Sequence, residues 1–142
     1  TSHAEMGHQM VKRHPNDLYF KGICPFHGDC LEGLASGPSL EARTGSSSLE
    51  IPEWEILAYY IAQGVLNATL TLAPDAIILG GGIMEQPNML AYVQKEFVKL
   101  LNHYVALPCP KDEYLRLPSV SENGSATLGN FALGKVALEL VE

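Results

Sequence analysis

Between Gly22 and Gly33 the chain reads GICPFHGDCLEG, which places Cys24, His27 and Cys30 within seven consecutive positions of a protein that has three cysteines in all. The spacing C-x-x-H-x-x-C lets a tight loop turn two thiolates and an imidazole toward one point, and zinc asks for four such ligands at the corners of a tetrahedron. The fourth must come from elsewhere, from His3, His8, His14 or His103. His8 is favoured because it lies in the same lobe, next to Gly7. The stretch between residues 9 and 23 has little apolar content, so a metal clamp at its base would give it order. The alternative is that Cys24 and Cys30 are ordinary buried thiols and His27 a satisfied polar residue. Cys109 stands alone between Pro108 and Pro110 and reads as structural.

An odd cysteine count, with two of the three sharing a segment with a histidine, suits a metal in a reducing compartment better than a disulfide framework. A cytoplasmic location is therefore expected. The net charge of −7, with nine Lys plus Arg spread without a run, argues against a nucleic-acid or membrane-surface footprint and toward a small soluble ligand. No stretch approaches the roughly 20 apolar residues of a membrane-spanning helix, and no leader pattern opens the sequence. At 142 residues there is room for one real core. The sequence starts at Thr1, inside the ligand motif, which reads as a piece of a longer protein.

Residues 1–45 are rich in Gly, Pro and His and predict a loop-rich lobe with short strands, with turn signals at His14-Pro15-Asn16-Asp17. Ser46, Ser47 and Ser48 then form a small polar connector, too short to be a linker between domains. From Pro52 the pattern changes. Trp54, Leu57, Ala58, Ile61, Val65, Ala68 and Leu72 fall on one helical face, started by Pro52 or Glu53 and stopped by Pro74. Ala76-Ile77-Ile78-Leu79, closed by Gly80-Gly81-Gly82, predicts a buried central strand. A second amphipathic helix carries Leu90, Val93, Phe97, Leu100, Leu101 and Tyr104 on one face. Tyr114 to Val120 alternates as a strand does, and a last helix opens at Asn123-Gly124-Ser125 and runs through Leu128, Phe131, Ala132 and Val136. This order is α/β.

The glycine run allows two readings. It is a place where a ligand can approach the backbone at the carboxyl end of a strand, or a strand-to-helix turn in which glycines supply positive φ. It matches neither dinucleotide nor phosphate-loop fingerprints. Gly124-Ser125-Ala126-Thr127 is a ligand turn or a helix cap made by Ser125 or Thr127. Glu5 and Glu32 each lie close to a proposed metal ligand. Carboxylates whose backbones are fixed in that way accept hydrogen bonds from several sugar hydroxyls without moving.

Five strings occur in order along the chain: E-x-G-H (Glu5 to His8), the segment ending C-L-E-G (Cys30 to Gly33), A-x-G-P-S (Ala35 to Ser39), P-D-x-I-x-L-G-G-G (Pro74 to Gly82) and E-N-G-S-A-T-L-G (Glu122 to Gly129). Together they resemble the ROK family of sugar kinases and repressors, and H-P-N-D followed by C-P-F-H-G-D-C-L-E-G-L-A resembles its bacterial fructokinases. The resemblance implies ATP-dependent phosphorylation of the 6-hydroxyl of D-fructose, with Mg2+ accompanying the ATP, in an actin- and hexokinase-like fold of two α/β lobes. This chain would be most of the C-terminal lobe: residues 1–45 a zinc- and sugar-binding subdomain, and residues 46–142 the α/β part. Carried over position by position, His8, Cys24, His27 and Cys30 would bind zinc; Glu5, His8 and Glu32 would hold sugar hydroxyls; Gly81 and Gly82 would lie against the nucleotide.

The family's phosphate loop, glycine loop and general-base Asp do not occur here, so that Asp is expected upstream of Thr1 and the isolated chain is expected to lack kinase activity. A homodimer is also implied. Two other readings are the sensing lobe of a ROK-type transcriptional repressor and a zinc-stabilised interaction module without a small ligand.

Overall fold

A computed structural model of the protein describes residues 4–44, 51–120 and 124–139. The described elements include six α-helices, α1 (Leu31–Ala35), α2 (Gly37–Thr44), α3 (Ile51–Leu72), α4 (Met89–Leu101), α5 (Lys111–Tyr114) and α6 (Gly124–Glu139), and two short strands, β1 (Ile77–Ile78) and β2 (Leu115–Arg116). His3, the serine connector and Asn123 lie outside the described residues.

The long helix α3 sets the architecture because it is apolar on one face and polar on another. Leu57, Ala58, Ala62 and Val65 are buried and join Val93, Phe97 and Leu101 of α4 in one cluster, making α3 with α4 the most extensive helix pairing. The opposite side of α3 faces the loop lobe. There Gln63 accepts a hydrogen bond from Lys12 N at 2.7 Å and donates to Lys12 O at 3.0 Å. At Gly64 a Cβ would lie 2.7 Å from Leu31 Cδ2, so a side chain there would make the Leu31 side chain shift. The helix stops at Leu72, with Ala73 in the left-handed region (φ 45°) ahead of Pro74. Leu72, expected on the apolar face, is largely exposed beside this stop.

The two strands pair in parallel, Ile77 with Leu115 and Ile78 with Arg116, and α4 lies in the crossover between them as parallel pairing demands. Gln94 of α4, buried, donates to Leu115 O at 2.8 Å. Tyr114, the last residue of α5 just ahead of β2, stacks on Phe97 with ring centroids 6.0 Å apart and donates its hydroxyl to Thr69 Oγ1 at 2.9 Å, tying the entry of β2 to both helices.

Three expectations are corrected. The run Ala76–Leu79 is not a buried central strand: two of its residues are in the ladder, β2 is its one partner among the described residues, and the period-two alternation turns Ile78 outward, 58% exposed. Tyr104 is not on the apolar face of α4, because Asn102 and His103 both take positive φ and turn the chain away after Leu101. Tyr114 to Val120 is a strand over two residues only. Pro110 starts a helical turn through Tyr114, and Pro118 has no amide to give a ladder.

The last helix forms where expected, with Leu128, Phe131 and Val136 exposed. Among the described residues no helix is long and apolar enough to cross a membrane.

Candidate metal centre

The part of the loop lobe ahead of α1 is shaped by glycines and backbone pairing more than by apolar burial. Cys24 and Gly28 exchange backbone hydrogen bonds of 3.1 and 2.9 Å, closing a tight turn with His27 at its tip. Gly33 packs against that turn so closely that a Cβ would stand 2.1 Å from Gly28 O. Met10 bridges Cys30, and Leu31 N donates to Gln9 O at 3.0 Å, which brings the turn Met6–His8 back beside the start of α1.

The consequence is that His8, Cys24, His27 and Cys30 converge, with their donor atoms all within 4.8 Å of one another. His8 Nδ1 stands 3.6 Å from both sulfurs, and His27 Nδ1 is 3.8 Å from Cys24 Sγ. A tetrahedral zinc with bonds of about 2.3 Å to sulfur and about 2.05 Å to nitrogen separates those atoms by about 3.6 Å. The donor set therefore fits zinc in chemistry, and these three separations lie close to tetrahedral spacing.

The two thiols differ in their electrostatics. The Cys24 thiol is drawn down to about 6, chiefly by the His27 backbone amide facing its sulfur. Burial pushes the fully enclosed Cys30 thiol up, a cost that a directly coordinated metal would offset.

Of the other histidines, His14 is occupied elsewhere. Its Nδ1 accepts from Asn16 N at 3.1 Å and its ring meets Tyr59 edge-on at 4.9 Å. His103 is exposed beyond α4. Cys109 Sγ faces Asp75 O at 3.9 Å and packs beside the core, away from the donor set.

Glu32, in the first turn of α1, points its carboxylate at His8, with Oε2 3.5 Å from Nε2. The missing side chain of Gly7 leaves room for it: a Cβ there would be 3.1 Å from the same oxygen. His8 thus shows one ring nitrogen to the sulfurs and the other to a carboxylate. Glu5 stands exposed at the entry of the His8 turn, its carbonyl accepting from His8 N at 3.1 Å.

Gly80, Gly81 and Gly82 follow β1 and do two things at once. Gly81 has φ 95° and its carbonyl accepts from Met84 N at 2.9 Å, so it opens a turn. The three glycines also line a cavity of about 530 Å3 together with Leu40, Glu41, Trp54 and Gln86. Trp54 and Leu40 carried no signal for this cavity, since an apolar residue at helical spacing reads as core. For the turn at Gly124, the Ser125 side chain lies outside the described residues.

The chain is an α/β protein with a Cys/His donor set, a carboxylate beside it and a glycine-lined cavity at the end of a strand. The particular family is the ROK family, whose model matches residues 1–137, and the chain belongs to it. It is 64% identical over 135 residues to a fructokinase of Lactococcus lactis subsp. cremoris, covering 92% of this chain and 47% of that protein. It is 52% identical over 139 residues to a fructokinase of Streptococcus mutans, covering 94% and 47%. It is 41% identical over 142 residues to a fructokinase of Pediococcus pentosaceus, covering 97% and 48%. The chain thus spans about half the length of the curated relatives it matches.

Proposed function

We propose that this chain is the C-terminal portion of a fructokinase, an actin- and hexokinase-like enzyme transferring the γ-phosphate of ATP to the 6-hydroxyl of D-fructose. The observation that carries this reading is the match of nearly the whole chain to several proteins named fructokinase, at up to 64% identity. Those names do not favour the repressor reading.

In this reading His8, Cys24, His27 and Cys30 hold one zinc ion. When bound, zinc would supply a fixed cross-link among the four side chains. Glu5, Glu32 and His8 Nε2 then face the sugar, the carboxylates accepting hydrogen bonds from hydroxyls and the ring N–H donating one. The support for these roles is the fit of the donor spacing to zinc and the closeness of Glu32 to the ring nitrogen of His8 left free. Gly81 and Gly82 would lie against the nucleotide in the cavity beside β1, where the absence of side chains lets a polyphosphate approach the backbone. Phosphoryl transfer also needs an acceptor base and phosphate-binding loops, which this reading assigns to the remainder of a longer polypeptide. A reducing cytoplasm suits the free thiolates, and the resemblance supplies the expectation of a homodimer.

The test is a coupled assay on the intact protein with D-fructose and MgATP, beside the isolated 142-residue chain. Fructose 6-phosphate is expected from the first and none from the second. An intact protein that phosphorylates another hexose and leaves fructose untouched would overturn the substrate, and activity in the isolated chain would overturn the division of labour.

A further inference from the structure

The turn His14-Pro15-Asn16-Asp17 ends in an acid that the metal set does not use. Asp17 is 6% exposed, and its carboxylate accepts from Arg43 Nε at 3.2 Å, Arg43 Nη2 at 2.9 Å and the Tyr60 hydroxyl at 2.8 Å. An isolated buried carboxylate is costly, and this one is matched by a bidentate guanidinium and a phenol. Arg43 comes from α2 and Tyr60 from α3, so one carboxylate ties the loop lobe to two helices.

Two further links lead from this hub to the donor set. Arg43 Nη2 donates to Leu34 O at 3.0 Å, gripping the helix whose first turn follows Cys30 and holds Glu32. Arg13 donates to the carbonyls of Asp17 and Phe20 and pairs with Asp29, the neighbour of Cys30, at 3.8 Å. Phe20 closes the assembly beneath the Arg43 guanidinium, 4.2 Å from ring centroid to Cζ.

We propose that Asp17, acting through Arg43, Tyr60 and Arg13, is a positioning residue for the metal centre, holding Cys30 and Glu32 in place from behind whether or not the ion is bound. The proposal rests on the zinc reading above and adds a source for the geometry. Atoms of the hub do not touch the ion, so its influence passes through the backbone around Cys30. Supports of metal ligands carry about tenfold to a hundredfold in metal affinity.

The experiment is titration of the metal-free intact protein with Co2+, following the thiolate charge-transfer and d–d bands. Asp17→Asn is expected to raise the Co2+ Kd about tenfold and to alter the d–d envelope. Tyr60→Phe, which keeps the ion pair but removes the hydroxyl that donates to Asp17 and accepts from His14 N, should raise it about threefold, the smaller effect of losing neutral-donor hydrogen bonds. Val93→Ala, a core truncation between α3 and α4, should lower thermal stability and leave Co2+ affinity and spectrum as in the wild type. If Asp17→Asn does not fold, Tyr60→Phe against Val93→Ala decides. Wild-type affinity and spectrum in the hub variants would overturn the proposal, as would an equal loss in Val93→Ala. A wild-type protein that takes up no Co2+ would overturn the zinc reading and the proposal together.

Discussion

The loop lobe and the α3–α4 layer are held together by different physics. In the layer, residues such as Leu57, Val93 and Phe97 are fully enclosed, and cohesion follows apolar area removed from water, a non-directional quantity. In the lobe, Leu18, Tyr19 and Phe26 are exposed, while position is fixed by glycine turns, a buried ion pair and four converging donor atoms. The difference teaches where precision comes from. Apolar packing tolerates many side chains of similar volume, whereas a tetrahedral ligand set tolerates few displacements, so the site is built where contacts are directional.

The comparison is broken most severely by Phe97→Ala. Truncating an aromatic at the centre of the layer should cost about 3–5 kcal/mol, read as a lowered denaturant midpoint, and should unfold both regions together. Gly33→Ala comes next, because its Cβ would collide with Gly28 O and Cys24 Cβ. It should destabilise by about 1–3 kcal/mol through forced overpacking and, unlike Phe97→Ala, it should weaken metal binding out of proportion to its effect on thermal unfolding. Equal effects on both would mean that the lobe has no independent geometry.

On the proposed zinc reading, removing that ion with a chelator sharpens the contrast. Hydrogen exchange should rise around residues 22–30 and stay unchanged through α3 and α4, with residues 13–17 intermediate because Asp17 and Arg43 still hold them. Uniform loosening would place the metal's influence in the layer as well.

The pH dependence separates the two regions again. Cys24, depressed to about 6, is an acid whose thiolate the fold favours. Its contribution is complete above the unfolded pKa, near 8.5, and is lost as pH falls through about 6. In metal-free protein, iodoacetamide should therefore label Cys24 ahead of buried Cys30 at pH 7, at a rate that falls as pH drops through 6. Tyr60 runs the other way. Burial first, and the Asp17 carboxylate after it, push the phenol up to about 12, so its contribution is complete below about pH 10 and is lost as pH rises through about 12. A small loss of stability on alkaline titration, absent in Tyr60→Phe, is the smallest effect expected.

Local sequence carried the elements whose causes are local. Pro74 ends α3 because a proline excludes helical geometry from its predecessor, and the C-x-x-H-x-x-C spacing brings Cys24, His27 and Cys30 to one turn. Non-local causes were invisible. Asp17 and Arg43 are separated by 26 residues, and either alone reads as a surface charge. Ile78 and Tyr104 were expected inside because they are apolar, yet their exposure depends on which neighbours cover a strand and where a helix cap turns the chain. Trp54 and Gln86 could be assigned to a cavity only after α3 and the turn beyond β1 were seen side by side.

The most direct test of the central claim is X-ray absorption at the zinc edge of the purified protein, alongside its metal content. One zinc per chain is expected, with two sulfurs at about 2.3 Å and two nitrogens at about 2.0–2.1 Å. A chain purified without zinc that will not take it up, or a shell made mainly of oxygen, would contradict the account.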